Sequence, residues 1–76
     1  MSIHNENKNQ LKTMRSNFKL LREEKDWSFE ELSHISGINI KILAGIENGE
    51  NFEVEFLFAL CRVYGLEPYK IFFPLG

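Results

Sequence analysis

The stretch SFEELSHISGINIKILAGIE, residues 28–47, decides how this chain is read. Ser28-Phe29-Glu30-Glu31 is a capping box: the Ser28 hydroxyl can accept from the amide three residues on, and the Glu31 side chain can reach back to the Ser28 amide. A helix therefore starts at Ser28 or Phe29, carries Leu32 and Ile35 inward, and ends before Gly37, a residue suited to a left-handed turn. Asn39 is a good N-cap for a following helix. Ile38 before it and Leu43 four residues after it form a hydrophobic staple. Leu43 and Ile46 face inward, and Asn48-Gly49 stops the helix. Ser33, four residues before Gly37, is small enough for two helices to cross closely.

Upstream, Leu11, Met14, Phe18, Leu21 and Lys25 recur at spacings of three and four, one face of an amphipathic helix ending near Lys25–Asp26. Residues 1–9 are polar and Asn-rich and are expected to be a flexible arm, leaving one domain over 10–76. Downstream, a loop at Glu50–Glu53 leads to a fourth helix at about Val54–Tyr64, with Phe56, Leu57, Leu60 and Val63 as its apolar stripe and Gly65 closing it. Glu67–Phe73 can form one short last helix, with Pro68 in its first turn. The expectation is an all-α fold, with no β-alternation and no repeats.

Composition narrows the function classes. Seventy-six residues build a single small core. No apolar run reaches the roughly 18–20 residues that span a bilayer, and Met1–Gln10 has no apolar signal-peptide core. The single Cys61 excludes an internal disulfide framework, fits a reducing cytoplasm, and reads as a small buried thiol. His4 and His34 have no second metal ligand at a sensible spacing, so no metal and no cofactor is expected. There is no nucleophile–base pair and no Gly-rich phosphate loop, so an enzyme is not expected.

The net charge is −2, and its distribution matters more than its sum. Met1–Asn17 carries Lys8, Lys12 and Arg15 against Glu6. Ser28–Glu55 carries Lys41 alone against Glu30, Glu31, Glu47, Glu50, Glu53 and Glu55.

Two short helices joined by a Gly-bearing turn are the helix-turn-helix signal, a geometry that pushes its second helix out of the body toward a major groove. From about Phe18 to Phe73 the chain resembles the Cro and lambda-repressor type of helix-turn-helix domain. The carrying stretches are Leu21-Arg22-Glu23-Glu24-Lys25, Trp27-Ser28-x-Glu30-Glu31-Leu32-Ser33, Ser36-Gly37-Ile38, Ile46-Glu47-Asn48-Gly49, and Tyr64-Gly65-Leu66 through Ile71-Phe72. The resemblance implies five helices, an ion pair between Arg22 and Glu47, and a transcription regulator of the phage or mobile-element kind. It also implies that Ile71 and Phe72 close the core.

The departures from that family lie on one surface. Phe29 stands where a phosphate-holding Gln is common. The outward positions of the recognition helix, usually polar or basic, are read here as Ile40, Lys41, Ala44 and Gly45. Glu50 follows the Asn-Gly where a Lys or Arg is frequent, and Glu53 precedes the fourth helix. Glutamates meet phosphates with like charge, and Ile40 and Ala44 can at best touch a thymine methyl. Phe29 either folds back onto the core or forms an exposed apolar patch with Ile40 and Ala44.

Two functions follow. One is a DNA-binding repressor or regulator, with Lys12, Arg15, Lys19 and Lys41 for phosphates. The other is an antirepressor or modulator that docks on a partner repressor and masks its DNA-binding face. The contact set for either is Phe29, Asn39, Ile40, Lys41, Ala44, Gly45, Asn48 and Glu50, on a scaffold of Arg22, Ser28, Ser33, Gly37 and Glu47. Phe73 and Leu75 are apolar beyond what the core needs, and either join two copies or cap a core edge.

Overall fold

A computed structural model of the chain describes Ser2–Ile3 as a strand and residues 8–75 throughout. Its elements are β1 (Ser2–Ile3), α1 (Lys8–Glu24), α2 (Phe29–Ser36), α3 (Ile40–Asn48), β2 (Phe52–Glu53), α4 (Val54–Tyr64) and a closing 3-10 helix, Pro68–Phe72. The expected 1–9 arm falls mostly on residues outside those described, and His4 is among these. Of the rest, Ser2–Ile3 pairs antiparallel with Phe52–Glu53, and Lys8 and Asn9 begin α1.

Four α-helices and one 3-10 helix stand where five helices were expected. The last element is short because Pro68 opens it and its amides reach back only three residues: Lys70 N–H donates to the Glu67 carbonyl at 3.0 Å and Phe73 N–H to Lys70 at 3.1 Å. The two-residue β pairing was also not anticipated from the sequence. It carries no alternation to read, because one residue on each face makes no pattern.

α1 ends at Glu24, and Asp26 follows at φ 56°, a left-handed conformation that Asp tolerates better than most residues. The core is built from Leu11, Met14 and Phe18 on α1, Leu32, Ile38, Leu43 and Ile46 around the central motif, and Leu57, Leu60, Cys61 and Ile71 after it. Phe52, within the stretch expected to be a loop, is buried as well. Its place in β2 turns it under α3 and α4. Ile71 closes the core at 0% exposure, and Phe72 packs against the core beside it. Tyr64 lies between Phe18 and the Trp27 ring, which stacks on it at 5.9 Å.

Two side-chain ties set the arrangement around α1. The Asn17 amide, buried on one flank, donates to the carbonyls of Ile71 and Phe73, both at 2.8 Å, and so holds the C-terminal segment. On another flank Arg15 and Arg22 reach the end of α3.

Candidate nucleic-acid interface

The central motif is assembled by local chemistry. Ser28 Oγ accepts from Glu31 N–H at 3.1 Å, and Glu31 Oε1 accepts from Ser28 N–H at 3.0 Å, so the capping box is complete. α2 then ends on Gly37 at φ 76°, whose N–H donates to the Ser33 carbonyl at 2.8 Å. Ser33 Oγ donates to the Ile38 carbonyl at 2.6 Å, which closes the turn from inside. Asn39 Oδ1 accepts from Lys41 N–H at 2.7 Å and starts α3. α3 stops on Gly49 at φ 97°, and Glu50 N–H caps the Gly45 carbonyl at 2.8 Å.

The end of α3 is locked to α1. Arg22 Nε and Nη2 donate to the two Glu47 carboxylate oxygens at 2.9 and 3.1 Å, while Nη1 donates to the Trp27 carbonyl at 2.9 Å. The pair is largely covered, with the side chains 14% and 7% exposed. Glu47's hydrogen bond holds the Arg22 guanidinium above its ordinary pKa, against a smaller lowering from burial. Such a pair fixes orientation more than it adds net stability, because desolvation offsets much of the attraction.

Phe29 occupies the other side of this pair. The Arg22 guanidinium lies 4.3 Å from the centre of its ring, and Phe29 is half-buried against the core. Of the two readings left open, the ring folds back, and it is not part of an exposed patch with Ile40 and Ala44. A cation–π contact at a partly desolvated site contributes about 1 kcal/mol.

Two sequence expectations about faces are corrected. Ile35, expected inward, is 47% exposed. The inward stripe of α2 is Phe29, Leu32, Ser33 and Ser36, at helical spacing, and Ile35 lies off it. Its two serines bond to the backbone of Ile38 in the turn, so an apolar count alone misplaces the stripe. Gly45, expected outward, is buried. The Glu50 side chain lies over it, so that a Cβ there would stand 3.3 Å from Glu50 Cδ.

The outward face of α3 is therefore Ile40, Lys41, Ala44 and Asn48, with Asn39 at its head. Ile40 is 43% exposed, Lys41 and Asn48 are exposed, and Ala44 is half-buried, while Ile42 turns inward and is partly covered. Beside this face a cleft is lined by Lys41, Gly45, Glu50, Asn51, Glu53 and Phe56, so the single cation of α3 shares its surroundings with two carboxylates. Asn51 was not singled out from the sequence. Only its place after the Asn-Gly stop signals that it borders the site.

Among the sequence's phosphate candidates, Lys12, Lys19 and Lys41 are exposed. Arg15 is partly buried and donates to the Gly49 carbonyl at 3.2 Å, beside the C-terminus of α3. At the other end, Phe73 is 62% exposed and Leu75 is half-buried. No helix is long and apolar enough to cross a membrane among the described residues.

Comparison with curated proteins and with solved structures gives no match. Residues 18–71 match the helix-turn-helix family, a span that begins at the core residue Phe18, ends at the core residue Ile71 and contains the caps of α2 and α3 and the Arg22–Glu47 pair. The chain belongs to the XRE-type helix-turn-helix family.

Proposed function

We propose that this protein is a non-catalytic, DNA-binding transcription regulator of the phage or mobile-element kind, working in the cytoplasm. One observation carries the reading: α3 is capped at both ends and locked through Arg22–Glu47, with Asn39, Ile40, Lys41, Ala44 and Asn48 turned away from the core. Asn48 supplies an amide of the kind that reads adenine edges, and Ile40 suits a thymine methyl. The phage assignment rests on analogy with the family alone. Exposed Phe73 is suited to joining two copies on adjacent half-sites.

The test is a titration of duplex DNA from the protein's own locus at increasing salt. Regulator function predicts binding whose affinity falls steeply with salt and exceeds that for random duplex by at least about 10³-fold. Absence of any preference for the native locus would exclude it.

A second reading is favoured by Ile40, 43% exposed on the face of α3 beside the cleft that Glu50 and Glu53 line. An apolar face rimmed by acids is suited to the basic DNA-facing surface of a partner repressor. An antirepressor would co-elute with the repressor encoded nearby, and Ile40→Glu would weaken that complex by more than about 1 kcal/mol.

A further inference from the structure

α1 carries Lys8, Lys12, Arg15, Lys19 and Arg22 at successive spacings of four, three, four and three. That spacing places all five on one stripe of an α-helix. No acidic residue lies between Lys8 and Arg22, although the chain as a whole is net negative. The stripe is about 21 Å long, from 14 residue steps along the helix axis.

Its position is fixed by its two arginines. Arg22 binds Glu47, the last but one residue of α3, and Arg15 donates to the carbonyl of Gly49 just beyond it. The Arg15–Arg22 part of the stripe therefore runs beside the C-terminal end of α3, and Lys12 and Lys8 continue it along α1. Lys8, Lys12 and Lys19, interleaved with those arginines, are exposed. Asn17 ties the C-terminal 3-10 segment to a different flank of α1, so that segment does not cover the stripe.

From this geometry we infer that the basic stripe of α1 is a phosphodiester-backbone site: a nucleic-acid strand runs along Lys8, Lys12 and Lys19 while α3 faces the groove. The loop after α3 is less suited to that purpose, because the exposed Glu50 there would meet a phosphate with like charge. The stripe supplies the cations that this loop lacks. The three lysines act as phosphate point charges, which set affinity and register and leave base preference to α3. The inference deepens the DNA-binding reading and rests on it for the placement of α3.

The experiment measures binding of the whole protein to duplex from its own locus and to random-sequence duplex, from about 50 to 200 mM salt. Lys12→Gln and Lys19→Gln are compared with Lys70→Gln, which removes the same charge from the 3-10 segment on the other flank. Each stripe substitution is expected to flatten the log–log salt slope by about 0.9, and the double variant to lose roughly tenfold in affinity at the lowest salt for both duplexes alike. Lys70→Gln is expected to leave the slope unchanged. Native-locus binding that survives the double variant with its slope intact overturns the stripe and spares the regulator reading. Loss of random-duplex binding in the double variant, in a protein that never prefers its own locus, supports the stripe and overturns that reading. An equal effect from Lys70→Gln, or no duplex binding at low salt, overturns the stripe.

Discussion

At the scale of single residues, the structure reassigns side chains whose type was clear but whose direction was not. Phe29 shows this: its position in the capping box was legible, but whether the ring turned in depended on Arg22, seven residues away on another helix. Gly45 shows the same limit more sharply. A glycine within a helix looks like an outward gap in a recognition surface, yet here it lies beneath Glu50, and that cover comes from the loop beyond the helix end. The arrangement can be tested through Gly45→Ala. Helical glycine costs roughly 0.5–1 kcal/mol relative to alanine. The added Cβ would meet the Glu50 side chain at 3.3–3.5 Å, and Glu50 is exposed and can swing away. Gly45→Ala should therefore stabilise the protein by about 0.5 kcal/mol, read as a rise in urea midpoint at constant slope. A lower midpoint would mean that the Glu50 carboxylate is held where it lies.

At the scale of elements, what is legible tracks how local the cause is. The capping box, Gly37, Asn39 and Asn48-Gly49 are short-range devices, and α2 and α3 begin and end where those residues put them. The 3-10 segment is the counterexample. Its sequence, Pro68 through Phe72, fits a last helix, but no sequence pattern reveals that its end is held by Asn17, more than fifty residues earlier. Asn17, next to the core residue Phe18 in α1, is the one available signal. It was missed because Asn is commonly a surface residue, whereas here it is 5% exposed. Its two hydrogen bonds satisfy carbonyls at Ile71, which is fully buried, and at Phe73. Asn17→Ala removes both donors and leaves those carbonyls facing a small void. The expected cost is about 2 kcal/mol, within the range for unsatisfied buried polar groups. The loss should be local first: the Phe73 amide, which donates to Lys70, should exchange its hydrogen faster in the variant while amides of α3 keep their relative protection. Uniform loss of protection would instead show that the segment unfolds only with the whole domain.

At the scale of the whole molecule, the family and the helical architecture were legible because one small core leaves few ways to arrange this order of helices. Charge was harder to read, because the net value of −2 conceals a basic stripe on α1 and an acidic margin after α3. The core itself makes a further prediction at alkaline pH. Burial pushes the Cys61 thiol up from 9.0 to about 11. Burial, with Glu47 nearby and Arg22 partly offsetting it, pushes the Tyr64 phenol up from 10.0 to about 12. Both groups are neutral when protonated, so the folded state holds these protons more tightly than the unfolded chain does. Below pH 9 the two states bind the same protons and stability is unaffected by either group. As pH rises past 9.0 the unfolded chain loses the Cys61 proton first, and past 10.0 the Tyr64 proton; stability then falls until the folded groups also titrate near 11 and 12. Thermal midpoints measured from pH 8 upward should therefore be level to about 9 and decline above it. Tyr64→Phe is the informative variant. The buried Tyr64 hydroxyl has no hydrogen-bond partner among the described residues, so removing it forfeits no bond while the Trp27 stack remains. This variant should match the parent at pH 8 and decline less steeply above pH 10. A parallel decline in both proteins would place the alkaline loss elsewhere in the molecule and show that the Tyr64 phenol ionises as easily folded as unfolded.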